Sequence, residues 1–348
     1  MRILWVAPWF RTLAVAWAKG LRERGHNVRI VTSDQHFDPP ALHEGDVELT
    51  RAWRSAGGAA ELRDLYARVR AFRPDVVVTE APRDPRFLAA ALVAGAPVVL
   101  MTHDAVPHDD AQATPLMRRI CGAAVTRRAV AEVVFSRYVR DAITPRRHRV
   151  VVLSLTSEMP DSLTPPLVAA ADRRDFLVVG RLSPYKNLPV VLAAYRRHQQ
   201  SPQFRGDRLV VIGGGDPGCE IPGDVVWERG RYRFADVAGR LAAAKASICL
   251  YSAGSQSGVQ VMGAQVGVCS LVSDAGGLAE YLPDGERCLP AIDPSPLAAA
   301  LDRLADPEIA ARAGARHRRY FEEQLSAGAT SAAWERTLAK MCIAGAQP

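Results

Sequence analysis

Short apolar runs alternate along the chain with longer segments in which apolar residues recur three and four positions apart. Such runs are typical of strands buried on both faces, and the three-and-four spacing is typical of amphipathic helices, as in segments 13–24 and 61–72. The alternation predicts an α/β fold with a doubly wound parallel sheet. The strands predicted in the first half are 3–7, 28–32, 47–51, 76–80, 98–102, 133–136 and 150–153.

The segment 154-SLTSEMPDSLTPPLVAAADRRD-175 interrupts this alternation, and its Ser, Thr and Pro content indicates a linker. The pattern then begins again. It predicts strands at 176–179, 209–212, 225–228, 247–250, 270–273 and 287–289, and helices at 188–199, 235–245, 258–266, 277–282 and 295–304. We therefore expect two Rossmann-like domains, 1–160 and 161–325, that face each other across a cleft. The last segment, 326–348, is predicted to be a helix that packs back on the first domain.

Composition narrows the class of protein. The length of 348 residues suits two domains, and 48% hydrophobic with 23% charged residues is ordinary for a globular enzyme. No apolar run approaches the roughly 20 residues of a membrane span, and the N-terminus has the pattern of a buried strand instead of a cleavable leader, which predicts a cytoplasmic protein. Six scattered cysteines favour buried thiols over disulfides or a zinc site.

Two cations stand on one predicted strand-to-helix connection, in 176-FLVVGRLSPYKNLPVVLAAY-195. Arg181 and Lys186 are either solvated surface charges or the holders of an anion beyond the end of the strand. Glycine-rich connections follow three other predicted strands, at 213–215, 251–267 and 274–282. The carboxyl ends of parallel strands share one edge, and free N–H groups at a helix start attract anions. Together these features predict a phosphate site at that edge.

The same motifs carry a resemblance to a known family. VVGRLSPYKNLPVVLAAY, VVIGGGDP and SDAGGLAEYLPDG resemble the donor domain of the family-4 retaining glycosyltransferases with the GT-B fold. MRILWVAPWF, KGLRERGHNVRIVTS, FRPDVVVTEAP and VVLMTHDA resemble the acceptor domain more loosely. The resemblance covers essentially the whole chain. It implies a nucleotide-diphosphate sugar as donor substrate, with no metal, no other cofactor and no protein nucleophile.

The resemblance also implies roles for individual residues. Arg181 and Lys186 match the basic pair that grips the donor's diphosphate, and His103 matches a histidine near the transferred sugar that is important for activity. The alternative for His103 is an ordinary histidine at the end of a strand. The residues implied to bind the donor, together with Gly215 of the glycine run, are Gln256, Ser257, Gly258, Val259, Gly276, Gly277 and Glu280.

The chain departs from the family at a pair of glutamates. Alignment without gaps places Gly254 and Met262 at their positions, and neither side chain can hydrogen-bond a sugar hydroxyl. The second glutamate normally holds the ribose. Met262 therefore either faces the ribose or is a core residue within the apolar helix 259–266. The first connection also lacks the usual glycines, and we expect Trp9 and Phe10 to pack inside the fold.

The function that the resemblance implies is retaining transfer of a hexosyl or hexosaminyl group to an acceptor hydroxyl or amine, in a glycoconjugate or specialised-metabolite pathway. The acceptor is a small molecule, a lipid-linked compound or a group on a carrier protein. One alternative is an inactive GT-B pseudoenzyme that binds a nucleotide or a partner. Another is a GT-B enzyme of pseudo-glycosyl coupling or sugar-nucleotide isomerisation.

The basic run 117–149 admits two interpretations. The run forms solvated helix faces, or it is a docking surface for an acidic carrier protein or a membrane. Nucleic acid is not favoured as a partner, because the run lacks interleaved aromatic residues and any recognisable module.

Overall fold

The computed structural model describes residues 1–34, 36–37, 39–49, 58–81, 84–104, 116–143 and 148–344. The chain forms two compact units. The first comprises Met1–Ala105, Ala113–Glu158 and Ala327–Pro348, and the second runs from Met159 to Ser326. The sequence placed the boundary between the two domains at 160/161 and the start of the C-terminal segment at 326.

The described part of the first unit contains one parallel sheet of seven strands, in the order β3-β2-β1-β4-β5-β6-β7. Because every pair is parallel, all strands end at the same edge. The strands are β1 (Arg2–Ala7), β2 (Asn27–Ser33), β3 (Val47–Leu49), β4 (Val76–Glu80), β5 (Val98–Thr102), β6 (Ala129–Val134) and β7 (Arg149–Val152). The helices between them are α1 (Arg11–Glu23), α2 (Gly58–Phe72), α3 (Pro85–Val93), α4 (Leu116–Arg128) and α5 (Arg137–Ala142).

The second unit has a parallel sheet of five strands, in the order β10-β9-β8-β11-β12. The strands are β8 (Arg174–Val179), β9 (Leu209–Ile212), β10 (Val226–Glu228), β11 (Ala244–Cys249) and β12 (Ser270–Val272). The helices are α6 (Leu188–Gln199), α7 (Phe234–Ala242), α8 (Gly258–Gln265), α9 (Pro294–Leu304) and α10 (Pro307–Tyr320). The two doubly wound sheets confirm the predicted fold class.

Both faces of the second sheet are covered by apolar side chains. Phe176 and Val178 of β8 belong to one core cluster, whereas Leu177 and Val179 belong to another. Successive side chains of a strand point to opposite faces, so this alternation places helices on both sides of β8. The continuous apolar run at 176–179 therefore reflects burial on two faces, as the sequence predicted.

Two predicted elements take another form, and the helical region after residue 306 is irregular. Segment 287–289 is not a strand, because only Leu289 pairs, through a single parallel bridge to Ser273. The helix predicted at 277–282 is a short 3-10 turn, Leu278–Tyr281, that ends before Pro283. The long helical segment after 306 is interrupted by a π-helical turn at Phe321–Leu325 and by the extended backbone of Ser326.

The last helix, α11 (Ala327–Ala344), belongs to the first unit although it follows the second unit in the chain. Trp334 of α11 packs edge-on against Trp5 with 4.9 Å between ring centroids, and Ser331 Oγ donates to the carbonyl oxygen of Trp17. A Cβ at Gly20 would overlap Ser331 Oγ. The glycine inside α1 thus lets the two helices approach closely.

Candidate active site

In the second unit, glycines allow the connection after β8 to contact the connection after β9. The N–H of Leu182 donates to the carbonyl oxygen of Gly214 at 2.8 Å. A Cβ at Gly213 or Gly215 would overlap the carbonyl oxygens of Gly180 or Leu182, and both glycines have positive φ. The glycine run therefore lets two backbone segments lie against each other at the carboxyl edge of the sheet. This contact accounts for Gly215 sterically, without a ligand.

Lys186 lies at this edge, and its side chain is buried. It ends the 3-10 turn Pro184–Lys186 and is 8% exposed. Its Nζ donates to the hydroxyl of Tyr251 at 2.7 Å. A Cβ at Gly180 would lie 3.4 Å from Nζ, which places the ammonium beside the end of β8. Arg181, the other predicted cation, is exposed on the same connection.

The electrostatic surroundings of Lys186 are unusual for a buried lysine. Burial lowers its pKa to about 8, with a raising contribution from Cys249 and a further lowering one from Arg181. Among the residues that the structure describes, no Asp or Glu shifts the pKa of Lys186. Since a buried charge without a counter-ion is costly, a bound anion would stabilise this ammonium. The burial of Lys186 rules out the interpretation of this residue as a solvated surface charge.

The start of α8 lies next to the same strand end. Ser257 is the N-cap, and its Oγ accepts from the N–H of Gln260 at 3.3 Å. A Cβ at Gly180 would lie 3.5 Å from Val259 Cγ2, so the first turn of α8 is adjacent to the end of β8. Gly258 and Val259 open the helix, where N–H groups have no intrahelical partner. Gln256 has a buried Oε1 without a partner among the described residues.

The connection after β12 is fixed to the segment before α8. Gly276 has φ +63°, and a Cβ there would overlap the carbonyl oxygen of Gly254. The N–H of Gly277 donates to that same oxygen at 3.0 Å. Glu280 is half-buried in the 3-10 turn that follows. The described geometry thus brings Lys186, the α8 start and the Gly276–Gly277 loop to one edge of one sheet.

The two positions that lack the family's glutamates differ in their surroundings. Met262 is 3% exposed and belongs to a core cluster with Val179 and Ile212. The ribose-facing interpretation of Met262 is therefore wrong, because α8 turns this position into the core. A Cβ at Gly254 would lie 3.4 Å from Leu278 Cδ2 and 3.6 Å from Tyr251 Cδ2.

In the first unit, His103 follows β5 and is 6% exposed. Its ring stacks on Phe10 with 3.7 Å between centroids, and Phe135 lies 4.6 Å away. Burial lowers the pKa of His103 to about 4, against a raising contribution from Asp104, so the imidazole is neutral at pH 7. Its Nε2 is buried and has no hydrogen-bond partner in the part of the chain that the structure describes.

Two residues at the strand ends escaped the sequence analysis. The carboxylate of Glu80, at the end of β4, accepts from the N–H groups of Trp9 and Phe10 at 3.1 and 3.0 Å, and so fixes the connection before α1. Tyr251 holds Lys186 from 65 residues away. Glu80 ends the apolar run VVVTE, a signal that was available. Tyr251 follows another apolar run and has no distinguishing sequence signal.

The basic run is only partly described, since 144–147 lie outside the described residues. On α4, Leu116 and Ile120 are exposed apolar residues, and Arg119 is also exposed. Among the described helices, none is long and apolar enough to cross a membrane. No group of three or more side chains suited to a metal occurs in the described ranges.

Two protein-family models match the chain, one in each unit. The model described as glycosyl transferase 4-like domain matches residues 11–156, and the model described as glycosyl transferases group 1 matches residues 173–306. A sequence search among curated proteins found no match.

Solved structures share the fold at low sequence identity. The chain is similar to sucrose-phosphate synthase from Thermosynechococcus elongatus, with a TM-score of 0.70, 15% identity and coverage of 99% of this chain and 100% of the other. HepE from Anabaena, solved with UDP and glucose, is similar with a TM-score of 0.67 and 15% identity, over 98% of this chain and 100% of HepE. A UDP-forming trehalose-phosphate synthase from Burkholderia xenovorans is similar with a TM-score of 0.62 and 14% identity, over 100% of both chains. With both family models and the doubly wound sheets in agreement, the chain belongs to the glycosyltransferases of the GT-B fold.

Proposed function

We propose that this protein transfers a sugar from a nucleoside-diphosphate sugar to an acceptor hydroxyl or amine, with retention of the anomeric configuration. The observation that carries the proposal is the buried Lys186 ammonium. It lies at a strand end beside a helix start, and no carboxylate in the described part of the chain is among the charges that act on it. A diphosphate supplies the negative charge that this edge of the sheet lacks.

The proposed chemistry needs no protein nucleophile. The bond between the sugar C1 and the diphosphate oxygen breaks, the acceptor oxygen or nitrogen bonds to C1 on the same face, and its proton passes to the departing diphosphate. Arg181, Lys186 and the first N–H groups of α8 stabilise the charge that develops on the leaving group. The loop at Gly276–Gly277 and the side chains of Gln256 and Glu280 are assigned to the donor by the family resemblance.

His103 is assigned to the transferred sugar by the same resemblance. Its neutral imidazole, with an Nε2 that lacks a partner in the described structure, can exchange a hydrogen bond with a sugar hydroxyl without adding charge. The stacking on Phe10 fixes the plane of the ring. This role makes His103 a contributor to binding and orientation and leaves proton transfer to the diphosphate.

UDP-sugars are the first donors to test. HepE was solved with UDP and glucose, and the Burkholderia relative in fold is a UDP-forming synthase. A cytoplasmic location would give access to nucleotide sugars. None of the six cysteines is in a disulfide, which suits a reducing compartment.

A catalytically inactive GT-B protein is the second candidate function. It is favoured by Gly254, which offers no carboxylate where the family pattern has one and whose Cβ direction meets Leu278 and Tyr251. Such a protein would bind a nucleotide without turning it over. Pseudo-glycosyl coupling would use the same donor edge with a different acceptor chemistry.

A thermal-shift panel of UDP, GDP, TDP and ADP tests donor binding. One nucleotide at about 100 times its dissociation constant should add roughly 2.7 kcal/mol to the free energy of unfolding. Binding should persist in EDTA, because the proposed site supplies its positive charge from two cations and helix amides. Failure of all four nucleotides to raise the melting temperature would contradict the proposal, and strict dependence on magnesium or manganese would contradict its electrostatics.

A further inference from the structure

The hydroxyl of Tyr251 touches two parts of the proposed donor site at once. Tyr251 follows β11 and is 3% exposed. Its oxygen accepts from Lys186 Nζ at 2.7 Å and lies 3.3 Å from Ser257 Oγ, the N-cap of α8. The ring is held by Tyr185, which meets it edge-on with 5.7 Å between centroids. One buried phenol thus lies between the ammonium and the helix start.

The direction of these hydrogen bonds follows from what each group can do. An ammonium only donates, so the tyrosine oxygen accepts from Lys186 and its own proton is available for Ser257. Ser257 Oγ accepts from the N–H of Gln260 and donates to Cys249 Sγ at 3.8 Å. Lys186, Tyr251 and Ser257 thus each donate one hydrogen along this chain of side chains, which ends at Cys249 Sγ. The Lys186 ammonium keeps two N–H bonds beyond the one that Tyr251 accepts.

We propose that Tyr251 is a positioning residue of the donor site, whose hydroxyl fixes Lys186 relative to the start of α8 so that both act on one diphosphate. The inference rests on the proposed function, since it assigns the diphosphate to this edge. A tyrosine that served only to fill the core would not need its hydroxyl at a buried ammonium for which the described residues supply no carboxylate. Lys186 Nζ also lies 4.0 Å from the centroid of the Tyr251 ring, a cation–π distance.

The hydroxyl should also keep Lys186 charged. Burial lowers the pKa of Lys186 to about 8, and an acceptor on the ammonium favours its charged form. Removing that acceptor lowers the pKa further. Diphosphate affinity, which depends on the ammonium, should then fall away at a lower pH in the variant than in the wild type.

The test is Tyr251→Phe, which keeps the ring and removes only the oxygen. Calorimetric titration with UDP, or with whichever nucleoside diphosphate the panel selects, gives the dissociation constant from pH 6 to pH 10. We expect binding about tenfold weaker at pH 7 and an alkaline limb about one pH unit lower. Tyr195→Phe is the matched control, because Tyr195 donates to the carbonyl oxygen of Asp207 before β9, at the other edge of the sheet. It should leave the dissociation constant and the limb unchanged.

A double-mutant cycle separates positioning from packing. In a Lys186→Met background, Tyr251→Phe should cause no further loss of affinity, because the hydroxyl acts through the lysine. An additional tenfold loss there, or a Tyr251→Phe profile that matches the wild type, would overturn the inference alone. Wild-type protein that binds no nucleoside diphosphate would overturn the proposed function and the inference with it.

Ser257→Ala provides a second route if Tyr251→Phe does not fold. It breaks the link between the Tyr251 hydroxyl and α8 while Lys186 keeps its acceptor. The affinity for the nucleoside diphosphate should fall. The alkaline limb of its pH profile should move to lower pH by less than it does in Tyr251→Phe. Unchanged affinity in folded Ser257→Ala protein would overturn the coupling between Lys186 and α8.

Discussion

At the scale of single residues, two buried lysines of the second unit stand in opposite surroundings. Lys245 pairs with Asp207 and donates to the carbonyl oxygen of Ala305 at 2.7 Å. Lys186 donates to a neutral phenol, and no carboxylate is among the charges that shift its pKa. The pair at Lys245 is complete within the protein, whereas no carboxylate of the described residues pairs with Lys186, which we propose binds the diphosphate of the donor. Their variants should therefore behave differently.

Lys186→Met should weaken diphosphate binding and cut turnover by about a hundredfold to a thousandfold, because a positioned donor to developing charge contributes about 3–4 kcal/mol. Its melting temperature should not fall, since the variant removes a desolvated charge and keeps an apolar stem. Lys245→Met is the control. It leaves Asp207 buried and should lower stability by about 3–5 kcal/mol with nucleotide affinity unchanged. Unchanged turnover in folded Lys186→Met protein would contradict the diphosphate assignment.

His198 makes the second unit sensitive to pH. Burial lowers its pKa, but Asp207 and Asp302 raise it by more, and the net shift is upward from 6.5. Its Nδ1 contacts Asp302 at 2.5 Å, and Nε2 lies 3.7 Å from Asp207. A histidine whose pKa is higher in the folded state than in the unfolded state stabilises the fold fully at a pH below its unfolded-state pKa. This stabilisation is lost as the pH rises through its folded-state pKa.

Urea unfolding of the wild type and His198→Gln across pH measures this contribution. The difference in unfolding free energy should be largest near pH 5–6 and should shrink as the pH rises above about 7. The pKa of Asp207 is lowered by His198 and Lys245 although burial alone would raise it, so its own contribution is lost only as the pH falls below about 4. A difference that grows with pH would show that His198 is neutral in the folded state.

At the scale of elements, the strands with long apolar runs were predictable, whereas a short segment that depends on its neighbour for pairing was not. Runs such as 176–179 are apolar because both faces of β8 are covered by other elements. A continuous apolar run is visible in the sequence without knowledge of the fold. Segment 287–289, Arg-Cys-Leu, has only one bridging residue, Leu289, and its pairing depends on Ser273 after β12 and not on the pattern of the segment itself. Tyr251 escaped prediction because its partner, Lys186, is distant in sequence and a phenol after an apolar run looks like core.

Helix α8 shows why a short buried helix defeats sequence alignment. Six of its eight residues, Gln260 to Gln265, are buried, so no polar face fixes which positions meet a ligand. Gln260 and Gln265 each use their side-chain nitrogens on protein oxygens, Leu278 O and Thr164 Oγ1. Polarity in this helix therefore does not mark the donor side, and Met262 could not be placed from sequence alone.

Met262→Glu tests this placement. An unpaired carboxylate in the core cluster should cost several kcal/mol, so we expect a large loss of melting temperature or aggregation. Met262→Leu, which conserves volume, should cost less than about 1.5 kcal/mol. A stable Met262→Glu protein with stronger nucleotide binding would show that the position faces the donor after all.

At the scale of the whole molecule, the chain combines two doubly wound units, each matched by a glycosyltransferase family model. The GT-B fold was predictable because repeated strand–helix alternation and three sequence motifs agreed. The donor base, the sugar and the acceptor were not, because they depend on side chains at strand ends that sequence periodicity does not place. A measurement of activity distinguishes the enzyme from the inactive-protein interpretation.

Release of nucleoside diphosphate from a sugar nucleotide is the most direct test of glycosyl transfer by this protein. The protein would be incubated with the UDP, GDP, TDP or ADP sugars that match the nucleotide bound in the thermal-shift panel, with and without EDTA. We expect measurable release, even if only slow hydrolysis without the acceptor, and a rate in Lys186→Met about a hundredfold lower. Tight nucleotide binding with no release above the rate of the Lys186→Met protein would contradict glycosyl transfer.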